Sequence, residues 1–313
     1  MKILNKRPRY TYLIGIMWYT LSLMVSNLND VFTKHLGSNM HAMQVTFLRF
    51  LFATIVLIPF MIYFGKKSFS TSRPGVHIMR GALLYGGIAL WVYGLSIVPI
   101  TVATVINFTI PIFVLILAIF FLSERVGWQR WIATIAGFAG VILVLQPSEG
   151  NFNPMTLLLL LSALMFAALD VTNKKFVVKE TMLSMLFYSA LVTMLLGLIP
   201  AINVWQAPTT QQWLLFFGLG CGGNLLLFFL LKAFAAVDAS ALSPFRYFEL
   251  VIAGITGYLF FQEVPAFMTL LGAVVIIPST LFIVYYETKR ERESQQQEGK
   301  PEATAQEAPV PVE

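Results

Sequence analysis

Cysteine, histidine and charge are all scarce in this 313-residue chain. A single cysteine, Cys221, excludes an intramolecular disulfide framework and any CxxC metal site. The three histidines, His35, His41 and His77, fall at loop or helix-end positions without ligand spacing. No metal and no cofactor is therefore expected. The chain has no HExxH, GxSxG, P-loop or kinase signature, which argues against ATP-driven work by this chain alone. An intramembrane enzyme would need a positioned acid, base or nucleophile set, and none is visible. Charged residues make up only 12% of the chain, against about 25% in soluble domains.

Apolar residues, by contrast, make up 58%, and the mean hydropathy is +0.76. A soluble core of this length has no way to bury so much apolar surface, so the solvent is expected to be lipid. Apolar runs bounded by charges or turn residues fall near 11–33, 41–64, 76–97, 100–122, 127–146, 153–173, 181–203, 211–234, 239–261 and 265–287. Each is long enough to cross a bilayer, which takes about 20 residues. No stretch alternates like a barrel strand. The expectation is an all-α membrane protein with ten transmembrane helices. The basic N-terminus before the first run resembles a signal peptide, but the run is too long and lacks a cleavage site.

Lys and Arg test the span count. With ten spans, the loops on the side of the two termini collect Lys66, Lys67, Arg73, Arg125, Arg130, Lys174, Lys175, Lys179 and Lys232. The termini add Lys2, Lys6, Arg7, Arg9, Lys289, Arg290, Arg292 and Lys300. Only Lys34 falls on the other side, and Arg49, Arg80 and Arg246 lie inside spans. The positive-inside rule then places both termini in the cytoplasm. The net charge of +6 marks these loops, and no nucleic-acid partner is expected. Residues 1–10 read as a cytoplasmic N-terminus and 288–313, rich in Glu, Gln, Pro and Ala, as a disordered cytoplasmic tail.

The chain repeats itself at a lag near 140. Asp30-Val31-Phe32-Thr33-Lys34 aligns with Asp170-Val171-Thr172-Asn173-Lys174, and Leu57-Ile58-Pro59 with Leu198-Ile199-Pro200. Glu124 after Ile119-Phe120-Phe121 aligns with Glu263 after Leu259-Phe260-Phe261. Two five-span repeats, 11–146 and 153–287, follow. An odd number of spans per repeat makes them inverted, a recurrent transporter architecture with the substrate site near the midplane.

Charges inside a membrane are costly and normally face a cavity or a partner. Arg246 and Glu249 share one helix face at i, i+3. They either pair with each other or meet a substrate carboxylate and ammonium. Asn107 is the repeat counterpart of Arg246 and shares a face with Thr104 and Pro111. Asn224 and Trp91 are further candidates for lining the cavity, with an interfacial anchor the competing role for Trp91. Asp30 and Asp170, each near a helix end, are expected to gate or pack, Asp30 pairing with Arg49 and Asp170 with Lys174. Arg80 is expected to snorkel to the surface.

Several segments carry a resemblance: Ser72-Arg73-Pro74 through Gly81, Trp91 to Leu95, Trp128-Gln129-Arg130-Trp131, Asn173 to Val177, Met185 to Ala190, and Phe245-Arg246-Tyr247-Phe248-Glu249-Leu250. Over about residues 10–287 the chain resembles the drug/metabolite transporter superfamily of the EamA type. Within it, the chain is similar to a branch from obligate intracellular bacteria that carries S-adenosylmethionine. The resemblance implies import of that small molecule across the inner membrane in exchange for S-adenosylhomocysteine. Its carboxylate would meet Arg246, its ammonium and sulfonium Glu249, and its adenine Tyr247, Trp91 and Asn107. The alternative is an exporter of amino acids or other small metabolites on the same fold. Apart from the lipid bilayer, no obligatory protein partner is expected.

Overall fold

The computed structural model describes residues 11–37, 40–95, 100–145, 156–261 and 267–298. The first ten residues, Glu263 and the residues beyond 298 lie outside the described residues. Among those described, all regular structure is helical. Helices α1 (Thr11–Gly37), α2 (Ala42–Phe64), the short α3 (Lys66–Phe69) and α4 (Pro74–Leu95) come first. The next segment is broken into α5 (Ile100–Asn107), α6 (Ile110–Leu117) and a π turn at Ala118–Leu122, followed by α7 (Trp128–Leu145). Then come α8 (Thr156–Phe176), α9 (Met182–Asn203) and α10 (Thr210–Ala236). A second broken segment has α11 (Ala239–Leu242), a 3-10 turn at Ser243–Tyr247 and α12 (Phe248–Phe261). The last helix, α13, spans Phe267–Glu298.

Eight helical stretches among the described residues are long and apolar enough to cross a membrane. They coincide with eight of the ten predicted spans. The remaining two are α7, which has 18 residues, and the segment 239–261, which is helical but broken. The predicted disordered tail is corrected in part, because α13 runs on to Glu298. Lys289 pairs with Glu293 at i, i+4 and Arg290 with Glu287 at i, i+3. Such spacing supports an exposed helix where no apolar face is buried.

Helix ends follow local chemistry. Thr181 caps α9 by accepting from Ser184 N, and Thr209 with Gln212 forms a reciprocal capping box on α10. Gly65 closes α2 at φ 72°, a left-handed conformation that L side chains adopt at a cost.

The two breaks have a common cause. Pro111 and Pro244 each lack the N–H that would continue the ladder. The chain tightens at Phe108–Thr109 in the first case and into a 3-10 turn in the second. Ser243 Oγ donates to the Pro111 carbonyl at 2.9 Å, so one break is hydrogen-bonded to the other.

Packing between helices is reciprocal. Helix α2 packs on α9, and α7 on α13. Helix α1 packs on α10 as α4 packs on α8, α2 on α10 as α4 on α9, and α12 on α1 as α6 on α8. Small residues permit the closest crossings. A Cβ on Gly220 of α10 would lie 2.7 Å from the backbone of Phe52 and Ala53 on α2, so only glycine fits there.

Candidate functional site: a charged cavity between the helices

A cavity of about 240 Å³ lies where α1, α2, α4, α8, α9, α10 and the second broken segment converge. Its polar lining comes from Tyr19, Ser22 and Ser26 on α1, Arg49 on α2, Arg80 on α4, Asp170 and Asn173 on α8, Ser189 on α9, and Arg246 with Glu249. Leu84, Phe166, Leu226, Leu227 and Leu230 supply an apolar wall. Three guanidiniums and two carboxylates thus share one space inside an apolar bundle. Each would be costly there without a partner or a ligand.

The charges are not equivalent. Arg246 Nη1 reaches Asp170 Oδ2 at 3.4 Å. Asp170 was expected to pair with Lys174, but Lys174 instead donates to the Phe234 and Val237 carbonyls, both at 2.7 Å. There it caps the C-terminus of α10, where a cation is favoured. Arg80 is fully buried, a correction to the expected snorkelling. Its Nε donates to Asn173 Oδ1 at 2.7 Å and its Nη1 to the Met185 carbonyl at 3.0 Å. Those protein acceptors lie inside the bundle, so its head has no need to climb to water.

One end of the bundle, carrying the connections at 65–73, 123–127 and 177–181, is held by polar clusters. Arg130 at the start of α7 donates to Glu287 of α13 at 2.7 Å and to Ser240 Oγ at 2.5 Å. Its Nη2 lies 3.3 Å from Asp238. Glu124 accepts from the backbone N–H groups of Ala239 and Ser240 at 3.0 and 3.1 Å, and from Ser240 Oγ. Across the bundle, Glu180 accepts from Thr71 at 3.1 Å and lies 3.7 Å from His77 Nε2. At the opposite end Gln44 and the backbone of Gln206 exchange two hydrogen bonds, at 2.6 and 2.9 Å.

The EamA-like transporter family matches residues 13–146 and matches again over 153–285. This chain belongs to the EamA-like transporter family. It is therefore a multi-pass membrane transporter and not an enzyme. It is 55% identical over 279 residues to the S-adenosylmethionine uptake transporter of Rickettsia bellii (strain RML369-C), covering 89% of this chain and 96% of that protein. The namesake of Rickettsia prowazekii (strain Madrid E) is 53% identical over 279 residues, 89% of this chain and 95% of the relative. The riboflavin transporter of Vibrio cholerae serotype O1 (strain ATCC 39315 / El Tor Inaba N16961) is 34% identical over 251 residues, 79% of this chain and 84% of its own length. A solved crystal structure of an 18% identical protein has a TM-score of 0.75 and covers 90% of this chain and 98% of that one, which shows a shared fold.

Within this EamA-like transporter, the residues singled out from the sequence separate into two groups. Arg246, Glu249, Asp170 and Arg49 line the cavity together. The i, i+3 ion pair that was one of two alternatives for Arg246 and Glu249 does not form within 4.0 Å among the described residues. Arg246 lies in the 3-10 turn and turns to α8 instead. Asp30 on α1 makes no ion pair with Arg49 within 4.0 Å among the described residues, but the two charges interact at longer range.

The other four do not line this cavity. Tyr247 is fully buried against Phe108, ring centroids 6.1 Å apart, with its ring over Gly137. Its neighbour Arg246 faces the other way around the tight turn. Trp91 packs against Ala103 and Leu159. Asn107 ends α5 at the first break, half-buried. Asn224 donates to the Ala53 carbonyl at 2.8 Å and holds α10 to α2.

Sequence reasoning missed Arg80, Asn173 and Ser189 as cavity residues, and Arg130 with Glu287 as a joint. One signal was available for the joint: Arg130 opens one span and Glu287 closes another at the same membrane level.

Proposed function

We propose that this chain imports S-adenosylmethionine by alternating access, in exchange for S-adenosylhomocysteine. The observation that carries the substrate is the 53–55% identity, over 89% of the chain or more, to transporters of Rickettsia species named for its uptake. The cavity fits the chemistry, since the substrate offers a carboxylate, an ammonium and a sulfonium, and the lining offers guanidiniums, carboxylates and aromatic rings. The exchanged product is the same molecule without the methyl and its charge, so a site reading the shared groups accepts both.

The moving parts are two inverted repeats of five spans, 11–146 and 153–287, rocking about the cavity. Three findings support this reading: the family matches the chain twice, the helix packing is reciprocal, and each half has one span broken at a proline. Broken spans near a midplane site are a transporter feature. The cavity volume of about 240 Å³ is below the roughly 300–1,000 Å³ of sites for drug-sized ligands. The site therefore widens when the clustered end opens. The Lys and Arg distribution supports an inner-membrane placement with both termini, and hence the end held by Arg130 and Glu180, in the cytoplasm.

Uptake of labelled S-adenosylmethionine into cells expressing the chain, preloaded or not with S-adenosylhomocysteine, tests this. Uptake above vector control is expected, and faster with preloading. Absence of uptake with the protein in the membrane overturns the substrate. Uptake indifferent to preloading overturns exchange alone.

A further inference from the structure

Two charges in the cavity make no hydrogen bond and no ion pair among the described residues, although Arg49 interacts at longer range with Asp30, and Glu249 with Arg246 and Asp30. Arg246 is engaged by Asp170, and Arg80 donates to Asn173 and to the Met185 carbonyl. Arg49, on α2, makes no hydrogen bond and no ion pair among the described residues, and its Nε is buried and unsatisfied. Its guanidinium carbon lies 5.8 Å from the Phe50 ring centroid. Beside it runs Gly223 of α10, where even a Cβ would come within 3.6 Å of Nε. That glycine leaves the approach to the guanidinium unobstructed. Glu249, on α12, likewise makes no hydrogen bond or ion pair among the described residues, and it lines the same cavity.

Unpaired charges in low dielectric are expensive, and proteins normally satisfy them internally. Two of opposite sign, facing one cavity and not in contact, leave a gap that a ligand carrying both complementary charges closes. We infer that Arg49 is the receptor for the substrate's carboxylate, with Glu249 taking the ammonium beside it, so that the site selects ligands bearing a free α-amino-acid end. This inference rests on the cavity being the substrate site. It moves the carboxylate from Arg246, whose Nη1 is engaged by Asp170 although its Nε also lacks an acceptor, to a guanidinium on α2 that makes no hydrogen bond and no ion pair among the described residues. A planar fork of that kind suits bidentate binding of a carboxylate. It also separates this chain's chemistry from that of a ligand such as riboflavin, which has no α-amino-acid end.

The test is equilibrium binding to the purified full chain in lipid nanodiscs. The probes are S-adenosylmethionine, its decarboxylated analogue and its N-acetylated analogue. Hydrogen bonds to charged groups are worth enough to change affinity about 10- to 150-fold. Wild type is expected to bind S-adenosylmethionine more tightly than either analogue by that factor. In Arg49→Gln the preference over the decarboxylated analogue is expected to vanish while that over the N-acetylated one persists; Glu249→Gln gives the converse. Arg49→Lys, which keeps the charge but loses the fork, should fall between. Equal wild-type affinity for S-adenosylmethionine and the decarboxylated analogue overturns the inference and leaves the substrate intact, and needs no variant to fold. An equal loss of both ligands in Arg49→Gln overturns it also. If wild type binds none of the three, the substrate reading fails, and this inference with it.

Discussion

Arg130→Ala removes the centre of the joint that ties α7 to α13 and to the start of the second broken segment. The Arg130 side chain is only 2% exposed and that of Glu287 only 8%, so the pair is buried at 2.7 Å. Removing one partner of a buried pair leaves the other uncompensated and costs about 3–5 kcal/mol. Among the described residues Glu287 then keeps Arg290 as its ion-pair partner, at 4.0 Å and half-exposed, which offsets little of that. At roughly 2–4 °C per kcal/mol, the expected drop in Tm is about 6–20 °C. Glu287→Gln should cost about as much on its own. The double variant Arg130→Met with Glu287→Leu should recover most of the loss, because two apolar groups of similar volume leave no buried charge. Thermal unfolding of wild type, Arg130→Met, Glu287→Leu and their double variant in one detergent closes the cycle and gives the coupling energy. Additive losses, or single variants within about 1 kcal/mol of wild type, would refute the argument that this joint is a desolvated ion pair.

Two more outcomes follow from particular contacts. Gly220→Ala drives a methyl into the Phe52–Ala53 backbone of α2; because backbone yields poorly, a loss of about 1–3 kcal/mol in unfolding experiments is expected, and unchanged stability would deny the close crossing. Tyr247→Phe removes a buried hydroxyl that has no hydrogen-bond partner among the described residues, so stability should hold or rise slightly and uptake should be unchanged. A severe loss of uptake would return Tyr247 to the substrate site.

Eight of the ten predicted spans were legible in the sequence to within a few residues, with α13 continuing beyond its predicted end. An apolar run bounded by charges is a local property, and lipid admits little else but a helix. A doubling was legible as well, and the family accordingly matches 13–146 and again 153–285. That Arg246 and Glu249 face a cavity followed from the cost of charge in lipid alone.

The partners of those charges were not legible. Sequence spacing assumes a continuous α-helix, and Pro244 replaces it with a 3-10 turn that sends Arg246 to Asp170 and Tyr247 into the core. Arg80 looked like a surface cation because nothing local shows that Asn173 and the Met185 carbonyl, some hundred residues away, come within 3.0 Å. Arg49 looked paired with Asp30, and only the packing of α2 against α10 leaves it facing the cavity. Membrane insertion and helix placement are decided by each segment's transfer from water to lipid, which its own residues determine. Which buried charge meets which is decided by the crossing of helices distant in sequence, and that belongs to the tertiary structure.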